Sequence, residues 1–172
     1  KGVFSSLPTR MYRPEDHNRI QLKVVQAIDR PLNCCPSSHI ANTVALYNLF
    51  DMLGWEQTDN ETWQAIQLTS KKMIDSVLYT KQHAMVDVAI GILAAEIVFN
   101  DHYPKHKFNN FVGFMEQMAV NTEIPYSSII GLYNRARELY DGNLVASVRN
   151  LFKEREYPRV KADVGYESIV GV

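Results

Sequence analysis

Residues 80–100 read TKQHAMVDVAIGILAAEIVFN, and this stretch decides the fold class. Its apolar side chains recur every three or four positions, at Val86, Ile90, Leu93 and Ile97. This spacing puts them on one side of an α-helix, because a helix completes a turn in 3.6 residues. We therefore predict a long helix from about residue 80 to residue 100.

Helical patterns continue on both sides of this stretch, separated by proline, glycine and polar cap signals. We expect an all-α fold, a bundle of about five to seven helices. Residues 1–100 are predicted to form its core, and residues 101–172 a helical extension packed on that core, whose last roughly 12 residues are irregular. The predicted helices cover about residues 14–29, 37–53, 59–74, 80–100, 108–120, 126–140 and 144–156.

A membrane-spanning helix is not predicted. The most apolar stretch, residues 84–99, carries Asp87 and Glu96, and it is shorter than the about 20 apolar residues that a span requires. The chain has 18 basic and 19 acidic residues, a net charge of −1. This balance is not typical of a nucleic-acid-binding domain.

Two ionisable residues of the long helix suggest a catalytic pair. His83 and Asp87 are four residues apart, so on a helix they would share one face. There the Asp87 carboxylate can accept the imidazole Nδ1–H and leave Nε2 as an exposed nucleophile. We interpret His83 as a candidate nucleophile and Asp87 as the group that orients it.

A second cluster, Pro36-Ser37-Ser38-His39, is typical of a helix start. Serine hydroxyls and free backbone N–H groups at such a start favour a bound anion. Ser37 and Ser38 are therefore candidate phosphate-binding residues. His39 follows them and is the candidate general acid for a leaving oxygen.

Cations that could neutralise a phosphate lie in two separate segments. Arg10 and Arg13 are three residues apart, and Lys81 lies two residues before His83. Guanidinium and ammonium groups are the usual protein ligands of phosphate oxygens. We include all three in the predicted phosphate site.

Together these clusters resemble the type 2 phosphatidic acid phosphatase superfamily, whose pattern is K-x6-R-P, then P-S-G-H, then S-R-x5-H-x3-D. The counterparts in this chain are Arg13-Pro14, the cluster from Pro36 to His39, and S-V-x5-H-x3-D from Ser76 to Asp87. Residues 29–33 and 79–83, DRPLN and YTKQH, are similar to the branch of inositol phosphorylceramide synthase relatives.

The resemblance implies a phosphohydrolase that needs no metal or other cofactor. His83 would carry a covalent phosphoryl group, His39 would protonate the leaving group, and Asp87 would orient His83. Arg13 and Ser37 would contact the phosphate. The implied substrate is a lipid-like phosphate monoester or diphosphate, and the implied location is a membrane, although this chain has no predicted span.

Three positions depart from the family pattern. Ser6 stands where the family has lysine, Ser38 replaces the glycine, and Val77 replaces the arginine of the third motif. Arg10 and Lys81 are therefore substitute cations rather than matched positions. Two alternatives stay open. One is a transferase of phospho-head-groups, as in the sphingolipid branch; the other, which Val77 and the missing lysine favour, is a catalytically silent helical scaffold or a solubilised analogue of a membrane phosphatase.

Overall fold

The computed structural model describes residues 35–54, 59–79, 83–106, 110–118 and 124–154. These residues form six α-helices and no strand, so the predicted all-α fold is confirmed. The predicted helix at residues 14–29 and the tail from residue 155 lie outside the described residues. The helices are α1 (Ser38–Met52), α2 (Asn60–Tyr79), α3 (Met85–His102), α4 (Asn110–Met118), α5 (Tyr126–Glu138) and α6 (Leu144–Glu154).

Helix α3 forms the centre of the bundle. Every residue from Val86 to Leu93 is buried, because α1 and α5 both pack along this helix. A helix that is apolar on all sides is stable in water only when other elements surround it. Helix α2 packs on α1, α4 contacts α1 and α5, and α6 packs on α5.

The starts of α1 and α2 follow the cap signals in the sequence. Ser37 is the N-cap of α1, and its Oγ accepts a hydrogen bond from the Ile40 backbone N–H over 3.4 Å. At the start of α2, Asp59 Oδ1 accepts from the Thr62 backbone N–H over 3.1 Å, and Asp59 Oδ2 accepts from the Thr62 hydroxyl. The two hydrogen bonds from the Ile40 and Thr62 backbone N–H groups satisfy donors that the first helical turn leaves without a partner in the helix.

Helix α3 begins later than predicted. It starts at Met85 rather than near residue 80, because the chain at His83 is held by a different contact. The His83 backbone N–H donates to the Val77 carbonyl in the last turns of α2, over 3.2 Å. The prediction that His83 and Asp87 share one helical face is therefore wrong: His83 precedes the helix, and Asp87 lies in its first turn.

No helix in the described part of the chain is both long enough and apolar enough to cross a bilayer.

Candidate active site at the paired histidines

The first turns of α1 and α3 meet, and this contact positions the predicted histidines. The Ser37 backbone N–H donates to the Asp87 carbonyl over 3.1 Å. One turn further along α3, a Cβ atom at Gly91 would lie 3.0 Å from the Ser37 carbonyl oxygen and 3.1 Å from Ile40 Cβ. Only glycine leaves room for so close an approach, since real Cβ contacts of this length need a shift of the neighbouring atoms.

The two histidines come from segments 44 residues apart in the chain, and their rings are in contact. His39 Nδ1 lies 3.5 Å from His83 Nε2, and the ring centroids are 5.8 Å apart in an edge arrangement. His39 is exposed, whereas the His83 side chain is only 4% exposed. The site therefore combines one fixed, buried imidazole with one imidazole that solvent can reach.

Asp87 lies behind His83, on the side away from His39. Its Oδ2 is 3.5 Å from His83 Nδ1, within ion-pair distance, and the Asp87 side chain is completely buried. His83 Nδ1 is buried and makes no hydrogen bond to any described residue. Because buried polar atoms are normally hydrogen-bonded, a small rotation of the ring toward Asp87 would satisfy Nδ1 and hold Nε2 toward His39.

Asp87 also has a structural task. Its Oδ2 accepts a hydrogen bond from the Ala84 backbone N–H over 2.9 Å, which closes the first turn of α3. A carboxylate in this position stabilises a helix start even without any catalytic role. The same oxygen atom thus faces both the helix cap and His83.

The two predicted serine ligands differ in accessibility. Ser38 is exposed, but Ser37 is completely buried and its hydroxyl oxygen is used in the cap of α1. This burial favours a structural role for the Ser37 side chain over direct contact with a phosphate.

The predicted cations Arg10, Arg13 and Lys81 lie outside the described residues. Val77, at the position of the family's arginine, is 2% exposed and belongs to the hydrophobic core. In the part of the chain that the structure describes, no three His, Cys, Asp or Glu side chains are grouped in a way that could hold a metal ion.

A second polar cluster joins α3 to α5 and was not identified from the sequence. The Tyr133 hydroxyl donates to Glu96 Oε2, and Arg137 Nη1 lies 3.5 Å from that hydroxyl. Glu96 is 3% exposed, and its Oε1 makes no hydrogen bond within the described residues. Burial raises the pKa of Glu96 to about 7. The signal was present in the sequence, since an acidic residue within an apolar helix requires a buried partner.

This second cluster is separate from the histidines. Glu96 follows Asp87 by nine residues, about 13 Å along the helix axis at 1.5 Å per residue. Its buried partner Tyr133 belongs to α5, whereas the histidine site is formed by the starts of α1 and α3. The cluster therefore serves the packing of α3 on α5.

Comparisons of the chain with protein-family models, with curated proteins and with solved structures found no match in any of the three. The likeness to a phosphatase superfamily thus rests on the three short motifs alone.

Proposed function

We propose that this chain is a metal-independent phosphohydrolase that acts on a phosphate monoester or diphosphate through a phosphohistidine at His83. The observation that carries the proposal is the alignment of three side chains. His39 Nδ1 lies 3.5 Å from His83 Nε2, and His83 Nδ1 lies 3.5 Å from Asp87 Oδ2. A nucleophile next to a proton donor, with a buried carboxylate behind it, is the arrangement that covalent catalysis requires.

In the proposed mechanism, His83 Nε2 attacks phosphorus and the bond from phosphorus to the leaving oxygen breaks. His39 gives its proton to that oxygen, which leaves as an alcohol or a phosphate. A water molecule then attacks the phosphorus of the phosphohistidine, the bond from phosphorus to His83 Nε2 breaks, His39 takes the proton of the water, and inorganic phosphate is released. Asp87 stabilises the positive charge that His83 acquires. A positioned acid such as His39 contributes about 10²- to 10⁴-fold to the rate.

Substrate binding requires a movement of His39. At 3.5 Å the two rings leave no space for a phosphoryl group between them. The His39 side chain is exposed and can rotate about its own bonds, whereas His83 is buried and its backbone is held by Val77. We therefore expect a phosphate to displace His39 and leave His83 in place.

The substrate class follows from the resemblance: an amphiphilic phosphate with an apolar tail. Such substrates gather at membranes, so we propose that the protein works at a membrane surface. The chain is acidic by one charge, and hence any attraction to the substrate phosphate must come from local cations such as the predicted Arg10, Arg13 and Lys81.

A silent scaffold is the second candidate, and two observations favour it. The buried side chain of Val77 fills the core where the family has a phosphate-binding arginine. The Ser37 hydroxyl oxygen, in addition, is used in a helix cap. Both features are consistent with a fold that is retained without its chemistry.

The decisive experiment measures phosphate release from lipid phosphates, prenyl diphosphates and a small aryl phosphate, with a chelator present. We expect His83→Ala to lose at least about 10³-fold in rate, because the proposed acceptor of the phosphoryl group is then removed. The control is His106→Ala, which alters an exposed histidine beyond the end of α3 and should keep wild-type activity.

Asp87→Asn tests the orienting role in the same assay. The amide oxygen can still accept the Ala84 N–H, so the helix cap survives, but the amide cannot stabilise a charged imidazole. We expect strongly slowed turnover with near-normal stability.

An active His83→Ala protein would contradict the covalent mechanism. Absence of both turnover and vanadate binding in the wild-type chain would establish the silent scaffold instead.

A further inference from the structure

The outer side of α1 is an exposed leucine surface. Leu46 is 57% exposed, Leu53 is 56% exposed and Leu49 is 37% exposed. We call these three residues the α1 leucine face. Large apolar side chains are exposed singly on many proteins, but a row of them on one helix marks a contact surface.

This face is continuous with the candidate active site. Leu46 follows His39 by seven residues, and Leu53 follows Leu46 by seven. Seven residues make nearly two full turns, so the side chains of His39, Leu46 and Leu53 lie on the same side of α1. The rise of about 1.5 Å per residue puts Leu53 about 21 Å from His39 along the axis. The exposed imidazole therefore stands at one end of a row of leucines.

Helix α1 carries a single Asp, Glu, Lys or Arg residue, Asp51, whose carboxylate accepts a hydrogen bond from Asn110 of α4. Residues 38–50 contain no Asp, Glu, Lys or Arg, and α1 has no acidic residue in its first turn and no basic residue in its last. By contrast, α2 exposes Lys72, α5 exposes Glu138 and α6 exposes Lys153. A surface helix normally has charged residues on its solvent side, so the exposed side of α1 is suited to an apolar neighbour.

We propose that the α1 leucine face seats this protein on the surface of a phospholipid bilayer, with His39 directed at the headgroup layer. A helix that lies in the interface buries its apolar face about 5–10 Å below the headgroups. In this orientation the leucines reach the acyl boundary. When α1 is inclined with its Leu53 end deeper, His39, about 21 Å away along the axis, is at the depth of the lipid phosphates.

The choice of a bilayer over another occupant follows from His39. A second copy of the chain, or another segment of it, that covered the leucine row would use the leucines and leave the exposed imidazole at its end without a role. A lipid surface that contains the substrate is the occupant that uses both features at once. This step rests on the proposed function, since it takes His39 as the residue that meets the substrate.

The binding should be weak, reversible and insensitive to salt. Because α1 has no basic residue between positions 38 and 50, the leucine face itself gains nothing from anionic lipids, and its own contribution to binding comes from apolar burial. Burial of the exposed half of one leucine is equivalent to about tenfold in affinity. Hence each leucine that is replaced by a polar residue should weaken binding by about tenfold.

The test is flotation of the full chain with phosphatidylcholine vesicles at low and high salt. We expect the wild-type chain to bind at both, and Leu46→Asn and Leu53→Asn each to bind about tenfold more weakly. The matched control is Leu68→Asn, since Leu68 is 52% exposed but lies on α2. The control should bind like the wild type. Hydrolysis of a soluble aryl phosphate should be equal in all four proteins, which also verifies that the variants fold.

Three results would overturn the proposal. They are a wild-type chain that does not float, leucine variants that bind as the wild type does, and a wild-type dimer that the leucine variants convert to monomers. Its failure is distinct from failure of the proposed function: vesicle binding that depends on Leu46 and Leu53 without any phosphate release supports the docking surface and removes the enzyme. Release of phosphate from the aryl substrate without vesicle binding supports the enzyme and removes the docking surface.

Discussion

Among single residues, Glu96 has the most perturbed environment of the acidic groups that the structure describes. Its carboxyl is buried between α3 and α5, and the Tyr133 hydroxyl is its hydrogen-bond donor. Burial disfavours the charged form and raises the pKa of Glu96 from 4.5 to about 7, although Tyr133 and the charge of Arg137 act in the opposite direction. Burial and the nearby Glu96 in turn raise the pKa of Tyr133, so that its hydroxyl remains a donor at neutral pH.

This shift predicts how stability depends on pH. Between its unfolded pKa of 4.5 and its folded pKa of about 7, Glu96 binds a proton more tightly in the folded chain than in the unfolded one. Raising the pH through this window therefore lowers the free energy of unfolding, and this loss of stability is complete above the folded pKa. At about 1.4 kcal/mol per pKa unit, the loss is of the order of 3 kcal/mol. Urea unfolding between about pH 5 and pH 8 measures it.

Glu96→Gln should remove this pH dependence, because the amide does not titrate and can still accept the Tyr133 hydrogen bond. We expect the variant to match the wild type near pH 5 and to be more stable at pH 8. Glu116→Gln, a change of an exposed acid in α4, should keep the wild-type profile. If Glu96→Gln retains that profile too, the buried carboxyl does not titrate in this range.

The sequence could predict some residues of the site but not their accessibility. His39, His83 and Asp87 were identified because their spacing has a chemical meaning, and the structure brings them together. The burial of Ser37 was not predictable, because it arises from the packing of α1 on α3, which are far apart in the chain. For the same reason the partner of Glu96 could not be named: Tyr133 lies 37 residues away.

The contact between α1 and α3 depends on a single glycine. At Gly91 a Cβ atom would lie 3.0 Å from the Ser37 carbonyl and 3.1 Å and 3.2 Å from two side-chain atoms of Ile40. The carbonyl belongs to the helix cap and cannot move alone, so an added methyl group would push the start of α1 outward. That displacement would lengthen the distance between His39 and His83.

Gly91→Ala should therefore lower both stability and activity. Overpacking costs about 1–3 kcal/mol, and the better helix propensity of alanine returns up to about 1 kcal/mol. Gly131→Ala is the matched control, because Gly131 lies in the exposed face of α5 with no atom within 4 Å of an added Cβ. The control should become slightly more stable and keep its activity. Thermal unfolding and phosphate release measure the two effects, and a Gly91→Ala protein as stable and active as the wild type would show that the helices can separate without cost.

At the scale of elements, sequence periodicity predicted the helices well and the start of α3 poorly. The predicted starts agree with α1, α2, α4, α5 and α6 to within two residues, because cap signals such as Ser37 and Asp59 act locally. The end of α2 was predicted too early, near residue 74, and the helix continues to Tyr79. The start of α3 differs because His83 bonds to Val77 of another helix. A tertiary hydrogen bond of this kind leaves no trace in local periodicity.

At the scale of the whole molecule, the position of α3 determines what can fold alone. The predicted boundary at residue 100 falls inside α3, which runs from Met85 to His102. Helix α3 packs on α1 from the first part of the chain and on α5 from the second. All three motifs nevertheless lie before residue 88, so the burial of α3 depends in part on a helix, α5, from the part of the chain that carries no motif residue.

We accordingly predict that a fragment of residues 1–106 does not fold, although it contains every motif residue. Without α5, the apolar side of α3 that packs on it is exposed, and Glu96 loses the hydrogen bond from Tyr133. A helix with apolar residues on all sides is not stable in water when one of its two main partners is missing. The full chain should unfold in one cooperative transition, and the fragment should show no cooperative transition and no phosphate release. Circular dichroism during urea unfolding measures the difference, with the fragment of residues 1–154 as the control that keeps all six helices. A cooperative fold in residues 1–106 would mean that α1 and α2 suffice to bury α3, and that the second part of the chain is an addition to an independent core.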